Sequence, residues 1–420
     1  MSSLVWYRRL NRTQWLILLV AWLGWVFDIM DTALFNFAKV PMMTEMLGKA
    51  QYKLIGARVE GQIQTVFLIG WALGGLVFGI LADRWGRTRT LILTILMYCA
   101  LTGLTAFCRT PDQVMVARFL TALGIGGEWA AGAALVAESF PDDLRAIASS
   151  FLQSAAAFGP VFAALANLQF ANSSWRVLFL VGVLPAFVCV LIRWKVPEPE
   201  SAPKIRSQEP PLRMIRELFS DAYLRRNVIV AMAIGVVGVT GAGVAPFWIP
   251  NLVKEASFGL ADVVIRTRTS QATMVLHIGT LLGVFVFPFL AERLGRKRSF
   301  ALFFFMSPLA TMLALYGGAN FGRLLLLMPI ATFFAIGVSS GFVLYFPELF
   351  PTRLRATGSG LAYNVGRVFS APMPWITGII MASLNGSVAS GVLIASGIYL
   401  IGLVVLPFAR ETKGLPLPTE

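Results

Sequence analysis

The chain has few charged residues, one histidine and three cysteines. Of its 420 residues, 13% are charged and 57% are hydrophobic. A soluble domain cannot keep so much apolar surface away from water, so this composition indicates a polytopic membrane protein. Cys99, Cys108 and Cys189 all lie in apolar runs and lack the spacing of metal ligands. We interpret them as small core residues and expect no metal site.

The elements of an enzyme site are also missing from the sequence. No nucleophile–base set, metal-ligand cluster or phosphate-binding loop stands out. We therefore predict that the protein is not an enzyme and needs no cofactor. The basic N-terminus runs directly into a long apolar segment without a small-residue cleavage site, which argues against a cleavable signal peptide.

Twelve apolar runs have about the 20-residue length that a bilayer requires. They lie near 15–37, 63–82, 90–108, 113–137, 146–170, 175–194, 227–250, 271–291, 299–318, 322–346, 355–383 and 388–409. Lipid offers no partner to an unpaired backbone group, so we expect all of them to be helices. The prediction is an all-α polytopic membrane protein with six-helix bundles at 1–194 and 227–420, joined by a cytoplasmic linker at 195–226. Residues 38–60 are predicted to form the longest outer loop.

The net charge of +14 comes from 35 Lys and Arg against 21 Asp and Glu. The basic residues concentrate in alternate loops, which is the positive-inside pattern of membrane proteins. We predict a multi-pass protein of the cell inner (plasma) membrane, with cytoplasmic N- and C-termini. Topology and the acidic headgroups of the lipid bilayer account for the positive charge, so we expect no nucleic-acid partner.

Two charged segments occur twice along the chain. The run GILADRWGRTRTL at 79–91 has a degraded copy, FLAERLGRKR, at 289–298. The run ESFPDDLRA at 138–146 matches ELFPTRLRA at 348–356. Since the copies are separated by about half of the chain, the sequence predicts one structural unit repeated in two pseudo-symmetric halves.

These and further motifs point to one family. The run at 79–91 is similar to a signature between the second and third helices of the major facilitator superfamily, and twelve spans with a middle linker match that family's layout. Arg118, followed by LGIGG at 123–127, resembles its fourth-helix motif, and Gly159–Pro160 partly matches its fifth-helix motif. The chain resembles this superfamily over essentially its whole length, which implies a transporter that works by alternating access.

Shorter motifs resemble particular branches of the superfamily. FDIMDT at 27–32 is similar to the first-helix motif of proton-coupled organic-acid symporters, with two residues changed. GGEW at 126–129 and NVGR at 364–367 resemble the metabolite and organic-acid symporter branch, which includes aromatic-acid and sialate/lactate transporters. RETKG at 410–414 resembles the end of sugar porters, with Arg in place of Pro.

The resemblance favours a monomeric transporter that takes up a small organic anion, a carboxylate, together with protons. The alternatives are a proton-coupled sugar or polyol symporter, a drug-efflux antiporter and a transporter-like nutrient sensor. Arg367 argues against the sugar, because a neutral molecule gives this charge no anion. The absence of a clear Gly-Pro-Gly-Gly run after Gly159 weakens the antiporter interpretation.

Charges that occur in both halves are predicted to serve the cytoplasmic closure that both halves share. Arginine forks that bridge carboxylates would latch the outward-facing state and break when the halves rock. The alternative is that they only set topology. The set is Asp83, Arg84, Arg87, Glu138, Arg145, Glu292, Arg293, Arg296, Glu348 and Arg355.

Charges that occur once are predicted to serve the proton or the substrate, because a charge inside a membrane is costly. Asp31 is our first candidate for proton coupling, and Asp28, three residues away, is the second. In related proton-coupled sugar porters, a fourth-helix Arg lies beside a first-helix Asp. This resemblance implies that Arg118 adjusts the pKa of Asp31 here. The alternative role for this pair is helix packing.

Arg367 is our candidate for binding the substrate carboxylate, since a guanidinium binds a carboxylate in bidentate fashion. The alternative is a permanent bridge to one of the acids of the first half. Glu128 and His277 are further candidates for substrate binding, although a lone histidine is more often structural than functional and we favour a structural role for Glu128 as well. The remaining candidates for substrate binding are Asn364, Tyr363, Gln153, Trp129 and Asn251.

Overall fold

A computed structural model of the chain describes the backbone of most of its length. The described residues are 10–85, 87–139, 151–152, 154–170, 172–184, 187–188, 211–351, 354–384, 387–415 and 418. Within these ranges, the side chains at 76, 79–80, 82–85, 87–88, 129–139, 211–212 and 355–356 are not described.

The first half of the described chain consists of long helices followed by shorter ones. They are α1 (Arg12–Leu47), α2 (Lys49–Trp85), α3 (Arg87–Thr105), α4 (Pro111–Ser139), α5 (Ala155–Gln169) and α6 (Trp175–Val181). Ser174 caps α6, because its side chain accepts a hydrogen bond from the Arg176 amide.

The second half begins with α7 (Pro211–Ser220), a short helix inside the segment predicted to be the linker. Asp221 then caps the next helix by accepting a hydrogen bond from the Leu224 amide at 2.8 Å. The helices that follow are α8 (Ala222–Ala256), α9 (Asp262–Leu294), α10 (Arg296–Leu315), α11 (Phe321–Gly337), α12 (Ser339–Glu348), α13 (Arg355–Ser370), α14 (Met373–Ser383), α15 (Val388–Ser396) and α16 (Ile398–Val405).

The helices account for all regular structure in the described ranges, which contain no strand. Six helical spans are long and apolar enough to cross a membrane: Arg12–Leu47, Ala222–Ala256, Asp262–Leu294, Arg296–Leu315, Phe321–Glu348 and Val388–Phe408. Shorter apolar helices occur at Arg89–Thr105 and Ala155–Gln169. The prediction of an all-α polytopic membrane protein is confirmed.

The predicted outer loop at 38–60 is wrong, because this segment is helical. Helix α1 continues to Leu47 and α2 already begins at Lys49. Gly48 alone separates them, with a φ of 79° that favours glycine. Two of the charged residues that interrupted the apolar pattern, Lys39 and Glu60, are buried rather than solvated. We refer to residues 36–65, where α1 and α2 meet, as the hairpin end.

The chain forms two compact units that do not follow the sequence halves at every point. Unit 1 contains Met1–Phe35, Val66–Ala166 and Ser173–Arg206, and unit 2 contains Asn36–Thr65, Asn167–Asn172 and Ser207–Glu420. The hairpin end therefore packs with helices of the second half. The prediction of two six-helix bundles with a linker stays a prediction.

Both units contain close helix crossings built on glycine. In unit 1, a Cβ on Gly74 would lie 2.1 Å from the Leu123 carbonyl oxygen, so only glycine allows α2 to approach α4 this closely. In unit 2, a Cβ on Gly283 would lie 2.1 Å from the Phe333 carbonyl oxygen, where α9 crosses α11. The two crossings occupy matching places in the sequence repeat.

Phenylalanines fill the core of unit 2 beside this crossing. The ring of Phe287 lies 5.0 Å from that of Phe300 and 4.9 Å from that of Phe303, both edge-to-face. This geometry is favourable between aromatic rings and fixes α9 against α10.

Candidate functional site

A buried ion pair joins α1 to α4 within unit 1. The Arg118 Nη1 atom donates to Asp31 Oδ2 at 2.6 Å, and both side chains are almost completely buried. Thr102 on α3 donates its hydroxyl to the other oxygen, Oδ1, also at 2.6 Å. Three helices thus converge on one carboxylate, and among the described residues one guanidinium balances its charge at contact distance.

Two aromatic rings lie against the Arg118 guanidinium of this pair. Its Cζ atom lies 4.9 Å from the centroid of Phe35 and 4.3 Å from that of Phe67. These distances permit cation–π attraction, which is strongest where water is excluded. Within the described residues, Nε and Nη2 of Arg118 find no hydrogen-bond acceptor. The cation therefore depends on Asp31 and the two rings.

Two further acids lie near this ion pair. Asp28 on α1 and Glu128 on α4 are each 2% exposed. Cys99 on α3 is close enough to Asp28, Asp31 and Glu128 to experience the charge of all three carboxylates. The candidate proton-coupling residues therefore share one region of unit 1 with Glu128, which sequence reasoning had grouped with the substrate.

Arg367 lies on α13 in unit 2 and is buried. Its Nη2 atom donates to the Tyr363 hydroxyl at 3.3 Å, and its Cζ atom lies 4.9 Å from the centroid of the Tyr363 ring. The neighbouring Gly366 is tightly packed, because a Cβ there would lie 2.8 Å from the Gly235 carbonyl carbon on α8. This crossing fixes the backbone beside Arg367. Asn364, one residue beyond Tyr363, is half-buried.

His277 on α9 is buried in unit 2. Its Nδ1 atom lies 2.9 Å from the Thr273 carbonyl oxygen, one helical turn earlier. A carbonyl oxygen can only accept, so Nδ1 carries the proton and Nε2 is left as an acceptor. This bond is one that a structural histidine makes, and the role of His277 stays a prediction.

Asn251, another candidate for substrate binding, lies on α8 in unit 2. Its side chain donates to Glu60 at 3.0 Å, at the hairpin end. Sequence reasoning missed this cluster because Glu60 and Lys39 had been assigned to a loop.

Arg296 at the start of α10 forms a further ion pair within unit 2. Arg296 donates from Nε to Glu348 Oε2 at 3.0 Å and from Nη2 to Oε1 at 2.6 Å. Glu292 and Arg293 are exposed, and the Arg293 guanidinium lies over the Phe289 ring at 4.1 Å. Among the described residues, the charges predicted to form the cytoplasmic closure thus include one bidentate ion pair, Arg296 with Glu348.

The C-terminal tail docks onto this pair, which sequence reasoning did not foresee. Thr412 donates its hydroxyl to Glu348. The Glu411 carboxylate accepts from the backbone amides of Arg296 at 2.9 Å and Lys297 at 3.1 Å. Gly295 offers no side-chain cap, so Glu411 caps α10 from a distant part of the chain.

Other predicted residues cannot be placed. Gln153 and Arg145 lie outside the described residues, and the side chains of Trp129, Asp83, Arg84, Arg87, Glu138 and Arg355 are not described.

Comparison with known proteins identifies the family. The profile of the Major Facilitator Superfamily matches residues 21–374. The chain belongs to the major facilitator superfamily. It is therefore a membrane transporter and not an enzyme, as the sequence analysis predicted.

The chain is similar to transporters that are named for several different substrates. A probable 4-methylmuconolactone transporter of Cupriavidus pinatubonensis is 29% identical over 98% of this chain and 94% of its own length. A cis,cis-muconate transport protein of Acinetobacter baylyi is 30% identical over 87% of this chain and 88% of its own length. A sialic acid transporter of Escherichia coli is 29% identical over 86% of each chain.

Solved structures support the fold. The crystal structure of a D-xylose–proton symporter superimposes with a TM-score of 0.76, covering 96% of this chain and 99% of that one. Its sequence identity of 19% shows a common fold only. The predicted fold of the superfamily is thus confirmed.

Proposed function

We propose that the transporter takes up a small organic anion, a carboxylate, together with protons, by alternating access. In this proposal it works as a monomer in the cell inner membrane, with both termini in the cytoplasm. The names of the similar transporters support the substrate class, since muconate and sialic acid are both carboxylates.

The observation that carries the proposal is the Asp31–Arg118 pair. Among the described residues, the carboxylate has one cation, Arg118, and one hydroxyl, from Thr102, at contact distance. Protonation of Asp31 would remove the anion on which Arg118 depends. Because breaking a buried pair is costly, the proton state of Asp31 would be coupled strongly to the arrangement of α1, α3 and α4. Asp28 is the alternative carrier of the proton.

Arg367 is proposed to bind the substrate carboxylate. The Tyr363 ring and hydroxyl orient its planar guanidinium, and the fixed backbone beside Gly366 holds the α13 segment in place. A planar guanidinium binds a carboxylate through two parallel hydrogen bonds. Asn364 on the same helix would contribute a neutral contact.

Uptake by the purified transporter in proteoliposomes tests this function directly. The panel contains aliphatic acids, aromatic acids, sialic acid and neutral sugars, each assayed with and without an inward proton gradient. We expect one class of carboxylate to accumulate only with the gradient. Accumulation of a neutral sugar that survives Arg367→Ala would replace the proposal with a sugar symporter. Binding of a carboxylate without any flux would instead indicate a sensor.

A further inference from the structure

Lys39 on α1 is fully buried at the hairpin end, within unit 2. Its Nζ atom donates to the Phe247 carbonyl oxygen on α8 at 2.6 Å, and it lies 3.3 Å from the centroid of the Phe247 ring. The nearest carboxylate oxygen, Glu60 Oε2, is 3.7 Å away. The strongest contact of this ammonium group is therefore with a neutral backbone carbonyl of a second-half helix.

Glu60 on α2 is also fully buried and is bound from two sides. The Tyr52 hydroxyl donates to Oε1 at 2.8 Å, and Asn251 Nδ2 on α8 donates to Oε2 at 3.0 Å. The ion pair thus lies within the hairpin formed by α1 and α2. Each of its two charges contacts α8 through a neutral group, the Phe247 carbonyl or the Asn251 amide.

Helix α8 is weakened where it receives these contacts. Pro246 and Pro250 lie on either side of Phe247 and Trp248. Proline has no backbone N–H, so the helix lacks two internal hydrogen bonds within this stretch. Such positions are where helices bend. The contacts that Phe247 makes with Lys39 and Asn251 makes with Glu60 therefore fall on a segment that can change direction.

Glycines bring the hairpin end against a second helix of the second half. A Cβ on Gly61 of α2 would lie 2.5 Å from the Pro374 carbonyl oxygen on α14. A Cβ on Gly378 of α14 would lie 2.6 Å from the Ala57 carbonyl oxygen on α2. The hairpin end is thus closed against both α8 and α14 in this structure.

We propose that Lys39 and Glu60 form a latch that holds the hairpin end closed and releases α8 when the transporter opens to this side. The inference rests on the proposed alternating access, and the charge pattern predicts that this side faces outward. When α8 withdraws, Lys39 and Glu60 keep each other and Tyr52, because all three lie on α1 and α2. The Phe247 carbonyl and the Asn251 amide, which α8 withdraws from the two charges, are neutral, so Lys39 and Glu60 remain an ion pair in both states. Lys254 of α8, whose Nζ atom lies 4.4 Å from the centroid of the Tyr52 ring, leaves with its helix. This arrangement allows the closed and open states to be close in free energy.

Distances between spin labels test the latch without substrate. The labels are attached to Lys53→Cys on α2 and Phe258→Cys just after α8, both exposed, in a chain whose native cysteines are replaced by serine. The double variant Lys39→Met with Glu60→Gln removes both charges together and so leaves no uncompensated ion. We expect a single short distance in the parent and a longer or additional distance in the double variant.

The matched control is Glu45→Gln with Lys49→Met, which removes the same two charges from exposed positions of the same hairpin. It should keep the parent distance. If the double variant also keeps it, the pair only packs the helices and the latch is rejected. If the double variant does not fold, the variant Asn251→Leu is measured in its place. It removes the hydrogen bond between α8 and Glu60 and leaves the Lys39–Glu60 ion pair intact. A longer distance then supports the latch, and the parent distance rejects it.

The outcomes separate the latch from the proposed function. If the distance lengthens although no carboxylate is bound or transported, the latch stands and the proposed substrate class is wrong. If a carboxylate accumulates with the proton gradient but the distances stay unchanged, the latch is wrong and the proposed function stands.

Discussion

The Arg296 guanidinium and the Glu348 carboxylate meet through two parallel hydrogen bonds, of 3.0 Å from Nε and 2.6 Å from Nη2. This pair connects the first residue of α10 with the last residue of α12. Thr412 of the tail binds the same carboxylate. One arginine therefore links two helices of unit 2 and the docking site of the C-terminal tail.

Replacing Arg296 with Lys should lower the stability of unit 2, because lysine cannot form the bidentate contact. Loss of a partly buried, charge-assisted hydrogen bond costs about 1–3 kcal/mol, and a lowered midpoint of thermal unfolding in detergent would report it. Arg298→Lys is the control, since Arg298 is exposed in the same turn. Equal midpoints for the two variants would show that the second hydrogen bond contributes nothing measurable.

The Glu411 carboxylate should make tail docking sensitive to acid. Burial alone would raise the pKa of Glu411, but backbone amides of Arg296, Lys413, Lys297 and Thr412 outweigh it and hold the pKa below its usual value of 4.5. A lowered folded-state pKa stabilises the folded state above pH 4.5, and this contribution is lost as pH falls through the folded-state pKa. Since Glu411 is mostly exposed, we expect a small effect.

Thermal unfolding of the parent and of Glu411→Gln at neutral and at acidic pH measures this contribution. The variant should be less stable than the parent at neutral pH, and the difference should shrink below pH 4.5. A difference that stays constant across this range would mean that the charge of Glu411 does not hold the tail.

The all-α membrane fold could be predicted from the sequence, because the length of an apolar run shows directly whether it can span a bilayer as a helix. The sequence also led to Asp31 and Arg118 as neighbours, through a resemblance in the first and fourth helices, and the structure places them 2.6 Å apart. Their role in proton coupling stays a prediction. So do the roles of Arg367 and the other candidate site residues.

The helices of the hairpin end could not be predicted from the length of the apolar runs. A buried pair of opposite charges interrupts such a run without ending the helix. Lys39 and Glu60 each interrupt an apolar run and so were assigned to a loop. In the structure they neutralise each other in the interior and the helices continue past them. Glu411 was missed for a different reason, since capping of α10 from the tail depends on tertiary contact that local sequence does not encode.

Replacing Asp31 with Asn should abolish proton-driven accumulation while leaving exchange of substrate across the membrane. Asparagine can still accept a hydrogen bond from the Thr102 hydroxyl, but it cannot gain or lose a proton at the pH of a transport assay. Uptake against a gradient and counterflow in proteoliposomes distinguish the two activities. Asp112→Asn is the control, because Asp112 is exposed at the start of α4. Accumulation at the parental rate in Asp31→Asn would transfer the proton role to Asp28 or remove it from this region.

Replacing Arg367 with Lys should weaken binding of the carboxylate substrate although the positive charge is kept. Lysine is a point charge that cannot form the fork-like contact or stack on the Tyr363 ring as a plane. A loss of about tenfold in affinity, equal to about 1.4 kcal/mol, is expected for the missing hydrogen bond. Titration of the purified transporter with the carboxylate found in the uptake panel measures it. Arg225→Lys is the control, since Arg225 is exposed near the start of α8. If Arg367→Lys binds the carboxylate with the affinity of the parent, Arg367 is a structural charge. A carboxylate bound by two parallel hydrogen bonds would lose affinity when lysine removes one of them.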